Sequence, residues 1–223
     1  MGKGRKVAEN ERALRRGEQF NLGDGKDEQQ KFEFGFGWNP GCDSPDLDVS
    51  VSAFDSGGTP LGICAFFDKK GLEEYGVTTS GDNMTGEGDG DDETIYVDLG
   101  ILATHENVSS LVFSISAYSS FFNTFLCITG KRIRLYGPQY GEPMQLGHFN
   151  MGLTGWANHV IAGVIHRKKD GTFEFHGLDD SVTKCYCDGP NNTASAIGVE
   201  LKKAAKEVGA PEPVEPIEMS ARA

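Results

Sequence analysis

The chain has 223 residues, a net charge of −12 and a hydrophobic fraction of 38%, which suits one domain with extensions or two small ones. This acidity argues against non-specific nucleic-acid binding by the main body. No run approaches a membrane span, and no apolar signal core follows the charged N-terminus, so a soluble, unprocessed, cytoplasmic chain away from the membrane is expected.

Composition also bears on chemistry and class. Five cysteines (Cys42, Cys64, Cys127, Cys185 and Cys187), an odd count without a signal segment, fit reduced thiols. The CYC at 185–187 has no second pair to complete a zinc site. Thirty glycines scattered among short apolar runs favour a β-rich, turn-rich architecture over a helical bundle.

In chain order, residues 1–16 carry six basic and two acidic side chains, a basic arm with helical character over Val7–Arg16. Alternation follows. In KFEFGFGW (31–38), Phe32, Phe34, Phe36 and Trp38 share one strand face. In DLDVSVSAF (46–54), Leu47, Val49, Val51 and Ala53 face one way and Asp46, Asp48, Ser50 and Ser52 the other, so both carboxylates project from one side of a sheet. Further strands are predicted at 62–67, 94–99, 109–117, 131–136, 144–149, 158–166 and 171–177. Their spacing, with Gly, Pro, Asn and Asp between them, predicts an antiparallel sandwich or barrel. Beyond Asp180, residues 193–208 place Ile197, Leu201, Ala204, Ala205 and Val208 on one helical stripe, with Gly209 as a C-terminal cap. The last residues are Pro/Glu-rich and read as an extended tail.

The segment GDNMTGEGDGDDE (81–93) holds six carboxylates and no basic residue. Two like charges ~4 Å apart repel by about 4 kcal/mol at an effective dielectric of 20, so the run either spreads into solvent as an acidic hairpin loop or binds a cation. Hard divalent ions select such oxygen donors, and calcium takes six to eight of them. An EF-hand is excluded: counting from Asp82, positions three, five and six are Met84, Gly86 and Glu87. With Asp46 and Asp48 the two segments hold eight carboxylates, and two calcium ions would offset half of that charge.

GFGWNP (35–40), DLDVSVSAFD (46–55) and above all GDNMTGEGDGDDETIYVDL (81–99) resemble the TerD family of tellurium-resistance and bacterial stress proteins and their eukaryotic relatives. Weaker agreement runs over 14–22 and 144–178. The resemblance implies an all-β sandwich of two antiparallel sheets over 14–180, with calcium bound near one end. It implies ligands at Asp46, Asp48, Asp82, Asn83, Glu87, Asp89, Asp91, Asp92 and Glu93, completed by loop carbonyls such as that of Thr85. Met84 stands where the family commonly has a basic residue, and ICAFFDKKG (63–71) departs from the family pattern. On this reading the cofactor is Ca2+, as two ions, and the implied role lies in stress or tellurite resistance.

The tails, 1–13 and 181–223, fall outside the resemblance. They motivate an alternative: an architectural subunit of a larger cytoplasmic or cytoskeletal assembly, docked on protein partners through 1–13 and 185–223, with calcium as a structural ion. Catalysis is not expected. The five histidines include no HExxH pair, TGKR (129–132) is not a phosphate loop, and no GxSxG elbow occurs.

Overall fold

The computed structural model describes residues 19–26, 30–39, 46–65, 68–88, 90–117, 129–137, 144–150 and 159–178, with backbone alone at 129, 131, 132, 144–150 and 159. The basic arm, the 193–208 helix, the Pro/Glu-rich tail and both proposed docking segments lie outside the described residues. Among the described residues no helix is long and apolar enough to cross a membrane.

Among the described residues, eleven strands form two antiparallel sheets, as the alternation predicts. In chain order they are β1 (Gln19–Gly23), β2 (Lys31–Asn39), β3 (Leu47–Phe54), β4 (Pro60–Cys64), β5 (Val77–Thr79), β6 (Glu93–Asp98), β7 (Ser110–Ala117), β8 (Thr129–Gly137), β9 (Met144–Asn150), β10 (His159–Arg167) and β11 (Phe173–Gly177). One sheet runs β1-β11-β10-β7-β3-β4 and the other β5-β6-β2-β8-β9.

The inner faces meet through the residues whose period of two is strictest. Phe32, Phe34, Phe36 and Trp38 of β2 are at most 4% exposed, and Leu47, Val49, Val51 and Ala53 of β3 at most 2%. Phe34 packs on Phe113 with ring centroids 4.6 Å apart. Each such ring contributes roughly 1.5–3 kcal/mol by leaving water. The outer face of β3 is less solvated than its serines suggest: Ser52 is buried, as is Ser114 on neighbouring β7.

Differences from the predicted elements have local causes. The strand predicted over 94–99 ends at Asp98, because the Asp98 carboxylate accepts the Ile101 N–H and caps a short helix, α1 (Leu99–Thr104). The strand predicted over 62–67 starts two residues earlier and ends at Cys64; Ala65 makes an isolated bridge to Asp68. Two strands, β1 and β5, were not predicted. β5 has three residues, too few to show a period, and is held by pairing to β6.

Arg167 fastens α1 and the turn after it to the sheet. Its Nη2 donates to the carbonyls of Leu102 (2.6 Å) and His105 (3.0 Å), Nη1 to Ala103 (3.3 Å) and Nε to Val108 (3.0 Å). Its guanidinium also lies 4.6 Å from the Phe173 ring centroid. A lysine has neither the planar fork nor the donors to replace it. Arg167→Ala is expected to lower the unfolding free energy by roughly 2–4 kcal/mol in urea denaturation, and Arg167→Lys to recover less than half of that. Unchanged stability in the alanine variant would remove this clamp from the account.

Candidate metal centre

The site forms where, among the described residues, the first half of β3 has no strand partner on one side. β4 pairs with β3 only from Val51 onward, so the first half of β3 presents free backbone towards the other sheet. Glu93, the first residue of β6, fills that gap. Its Oε2 accepts the Val49 N–H at 2.7 Å and its Oε1 accepts the Asn83 N–H at 3.2 Å. One buried carboxylate therefore joins both sheets and the acidic loop.

Asp46 and Asp48, on the outward parity of β3, are 5% and 4% exposed. Exposed Asp82 joins them, with one oxygen from each of the three residues within 4.8 Å of the others. Asp46 Oδ1 and Asp48 Oδ2 are buried without any hydrogen-bond partner. Buried carboxylate oxygens ordinarily have partners, because desolvation is otherwise uncompensated. Burial above all, then the charges of Asp46 and Asp82, pushes Asp48 up to about 7. Burial, then Asp82, also raises Asp46. Burial drives Glu93 up to about 8 despite the bonds from Val49 and Asn83 that favour its charged form, with Asp48 and Asp82 adding to the rise. Three oxygens in this arrangement suit a hard cation, since 4.8 Å is about twice a usual calcium–oxygen distance.

The remaining predicted ligands are placed differently. Asn83 organises the loop: its Oδ1 accepts from the Thr85 N–H (3.1 Å), the Thr85 hydroxyl (3.3 Å) and the Gly86 N–H (3.2 Å). Its Nδ2 donates to Asp92 Oδ1 at 3.1 Å. Asp92 Oδ2 accepts the Trp38 N–H at 2.8 Å, which pins the loop to the end of β2. Asp91 turns onto the far side of that sheet, where Oδ1 pairs with Arg134 Nη1 at 2.8 Å and Oδ2 accepts the Tyr136 hydroxyl at 2.8 Å. Its carboxylate occupies the space above Gly35 that any β-carbon there would fill. Glu87 and Thr85 are exposed, and Asp89 lies outside the described residues.

Sequence reasoning missed two of these supports. Arg134 and Tyr136 were legible only as the alternate face of KRIRLY, opposite Ile133 and Leu135. Gly86, at φ +63°, sits with its bare Cα against the Trp38 indole, where a β-carbon would overlap the ring. It lets the loop close over Trp38.

The raised carboxylates have a signed consequence. Without a cation the folded state binds protons at Asp48 more readily than the unfolded chain, so stability is lost as pH rises from the unfolded value near 4 towards 7. In chelator, Asp48→Asn is expected to melt above the parent protein at about pH 8, and this advantage is expected to shrink to nothing near pH 5, where Asp48 is itself protonated. A variant that melts below the parent throughout would contradict the assigned burial of charge.

Comparison with known proteins agrees with this frame. The TerD domain is matched over residues 11–184. The chain is 38% identical over 100 residues to tellurium resistance protein TerZ of Serratia marcescens, covering 40% of this chain and 50% of that protein. It is 32% identical over 128 residues to stress response protein SCP2 of Bacillus subtilis (strain 168), covering 48% and 60%. Thus the alignments span half to three-fifths of these relatives. General stress protein 16U of the same organism aligns over 98% of its length and 85% of this chain, at 28% identity. A crystal structure from Streptomyces coelicolor A3(2), described as a homologue of telluride resistance protein (TerD), superposes with a TM-score of 0.59 over 76% of this chain and 98% of its own, at 15% identity. At that identity it speaks for the fold alone. With the domain matched over most of its length, the chain belongs to the TerD family.

Proposed function

We propose that this protein is a calcium-binding β-sandwich module acting in stress or tellurite resistance. The names of its relatives, a tellurium resistance protein and stress response proteins, motivate the cellular role. The observation that carries the metal reading is the convergence of Asp46, Asp48 and Asp82 with two buried carboxylate oxygens left unpartnered. The donor set is all oxygen and strongly anionic, the chemistry of a hard divalent ion.

Calcium suits it better than magnesium. Magnesium holds its waters and takes few protein carboxylates in strict octahedra, whereas calcium tolerates irregular shells of six to eight oxygens. Asp46, Asp48 and Asp82 would hold the ion, which supplies the positive charge that the three carboxylates lack. Binding would then tie the Asp82 limb of the loop to β3. The stability gained follows the free ion concentration, about 2.7 kcal/mol at a hundred times the dissociation constant.

The residues differ in what they should do. Asp91 is committed to Arg134 and Tyr136 and is expected to be dispensable for the ion. Calcium should raise the melting temperature of the parent protein and of Asp91→Asn, each relative to its own chelated form. Asp48→Asn and Asp82→Asn should lose at least half of that rise, measured by differential scanning fluorimetry at neutral pH. Equal calcium shifts in all four proteins would place the ion elsewhere, and no shift in any would remove calcium from the reading.

A further inference from the structure

The outer face of the six-stranded sheet carries an apolar cluster that the core between the sheets does not explain. Phe54, Val112, Ile161 and Val164 form it, at 0–2% exposure, with half-buried Leu178 packed against them. Ser114 and Ser52 beside it are 0% and 6% exposed. Neighbouring strands bury the edges of a side chain on a sheet, not its outward surface. With one chain present, such low exposure requires cover from the same chain, and among the described residues Leu178 is the one partly buried apolar side chain packed against those four. We propose that residues 193–208 lie as an amphipathic helix across this face, with Ile197, Leu201, Ala204, Ala205 and Val208 towards it.

Position and dimensions favour this segment. The chain leaves the sheet at the cluster itself: the Leu178 N–H donates to the Ala162 carbonyl at 3.1 Å. Nineteen steps separate Leu178 from Ile197, a reach of about 65 Å at most, so no part of the face is out of range. Ile197 to Val208 spans about 16 Å of helix. Three inter-strand gaps, from β3 through β7 and β10 to β11, span about 14 Å. The small side chains match as well, with Ala204 and Ala205 allowing a helix to approach Ser52 and Ser114 closely. Lys202, Lys203 and Lys206 fall on the opposite side of the helical stripe, where solvent accepts them.

Other segments fit less well. Residues 118–128 must carry the chain from Ala117 in one sheet to Thr129 in the other. Phe54 pairs with Ser110, roughly 23 Å along β7 from Ala117. The detour there and back, about 46 Å before any crossing between sheets, exceeds the ~40 Å that twelve steps reach. The 151–158 connection is shorter and enters β10 at His159, which pairs with Ser116, so it comes near Ile161 but cannot reach the Phe54 end of the cluster and return. The basic arm offers only Met1, Val7, Ala8, Ala13 and Leu14 as apolar residues in its first sixteen.

The test is thiol protection in the full chain, read by peptide mass spectrometry after maleimide treatment. Ser52→Cys places a near-isosteric thiol on the outer face, and Cys64, 0% exposed in the inner core, reports global unfolding. Cys at position 52 should be protected, and adding Leu201→Asp should raise its labelling rate at least tenfold while Cys64 stays unreactive and Lys203→Glu changes nothing. If Leu201→Asp also exposes Cys64, Leu201→Ala is read instead, with at least a threefold rise expected at position 52 alone. An unchanged rate at position 52 in the variant so read overturns the proposal in favour of another segment. Protection that increases with protein concentration also overturns it, by assigning the face to a second copy.

Discussion

Two aspartates on one parity of a strand, buried with unpartnered oxygens beside a third carboxylate, are the constraint around which this end of the sandwich is built. Strand geometry makes Asp46 and Asp48 project together. Among the described residues, β4 ends at Cys64 opposite Val51 and so leaves their segment of β3 without a strand partner on that side, where the Glu93 carboxylate accepts the Val49 N–H. Like charges at such separations repel by roughly 3–4 kcal/mol per pair at an effective dielectric of 20. The fold therefore protonates these groups or supplies a counter-charge, and the elevated values of Asp48 and Glu93 express that choice.

The acidic loop resolves its charge by division of labour. Asp82 goes to the cluster, Asp92 and Asn83 are absorbed by backbone and amide donors, and Asp91 finds a cation within the protein at Arg134. Arg134 and Asp91 are 13% and 10% exposed. Breaking such a shielded pair leaves an uncompensated charge, so it fixes the limb of the loop nearest β6 more firmly than a surface pair would. Both ends of the loop are thus set on rigid strands, while Glu87 stays exposed to solvent. Preorganisation of this kind is what the proposed ion site would need, since its ligands would then meet an ion without refolding.

Much of this was legible in the sequence. Alternation in KFEFGFGW and DLDVSVSAF showed the inner faces and the common side of Asp46 and Asp48, because period two is a local property. Composition showed an acidic loop but not which of its carboxylates converge, since that depends on Arg134 and Tyr136, more than forty residues away in sequence. α1 escaped detection because a single Asp98 cap ends a run whose residues read as strand. The burial of Ser52 on the outer face of β3 escaped for a similar reason: Ser50 and Ser52 fall on the polar parity of the strand, and burial there is not a property of the local pattern.

The central claim is that Asp46 and Asp48 are buried in order to hold a divalent cation. Calorimetric titration of calcium into chelator-stripped protein, set beside the Asp46→Asn/Asp48→Asn double variant, tests it most directly. The account predicts saturable binding by the parent protein and its loss in the double variant, while folding, seen by circular dichroism, is retained. Parent protein that binds no calcium up to about 10 mM, ten times the weakest usual calcium modules, or a double variant that binds as well as the parent, would contradict it.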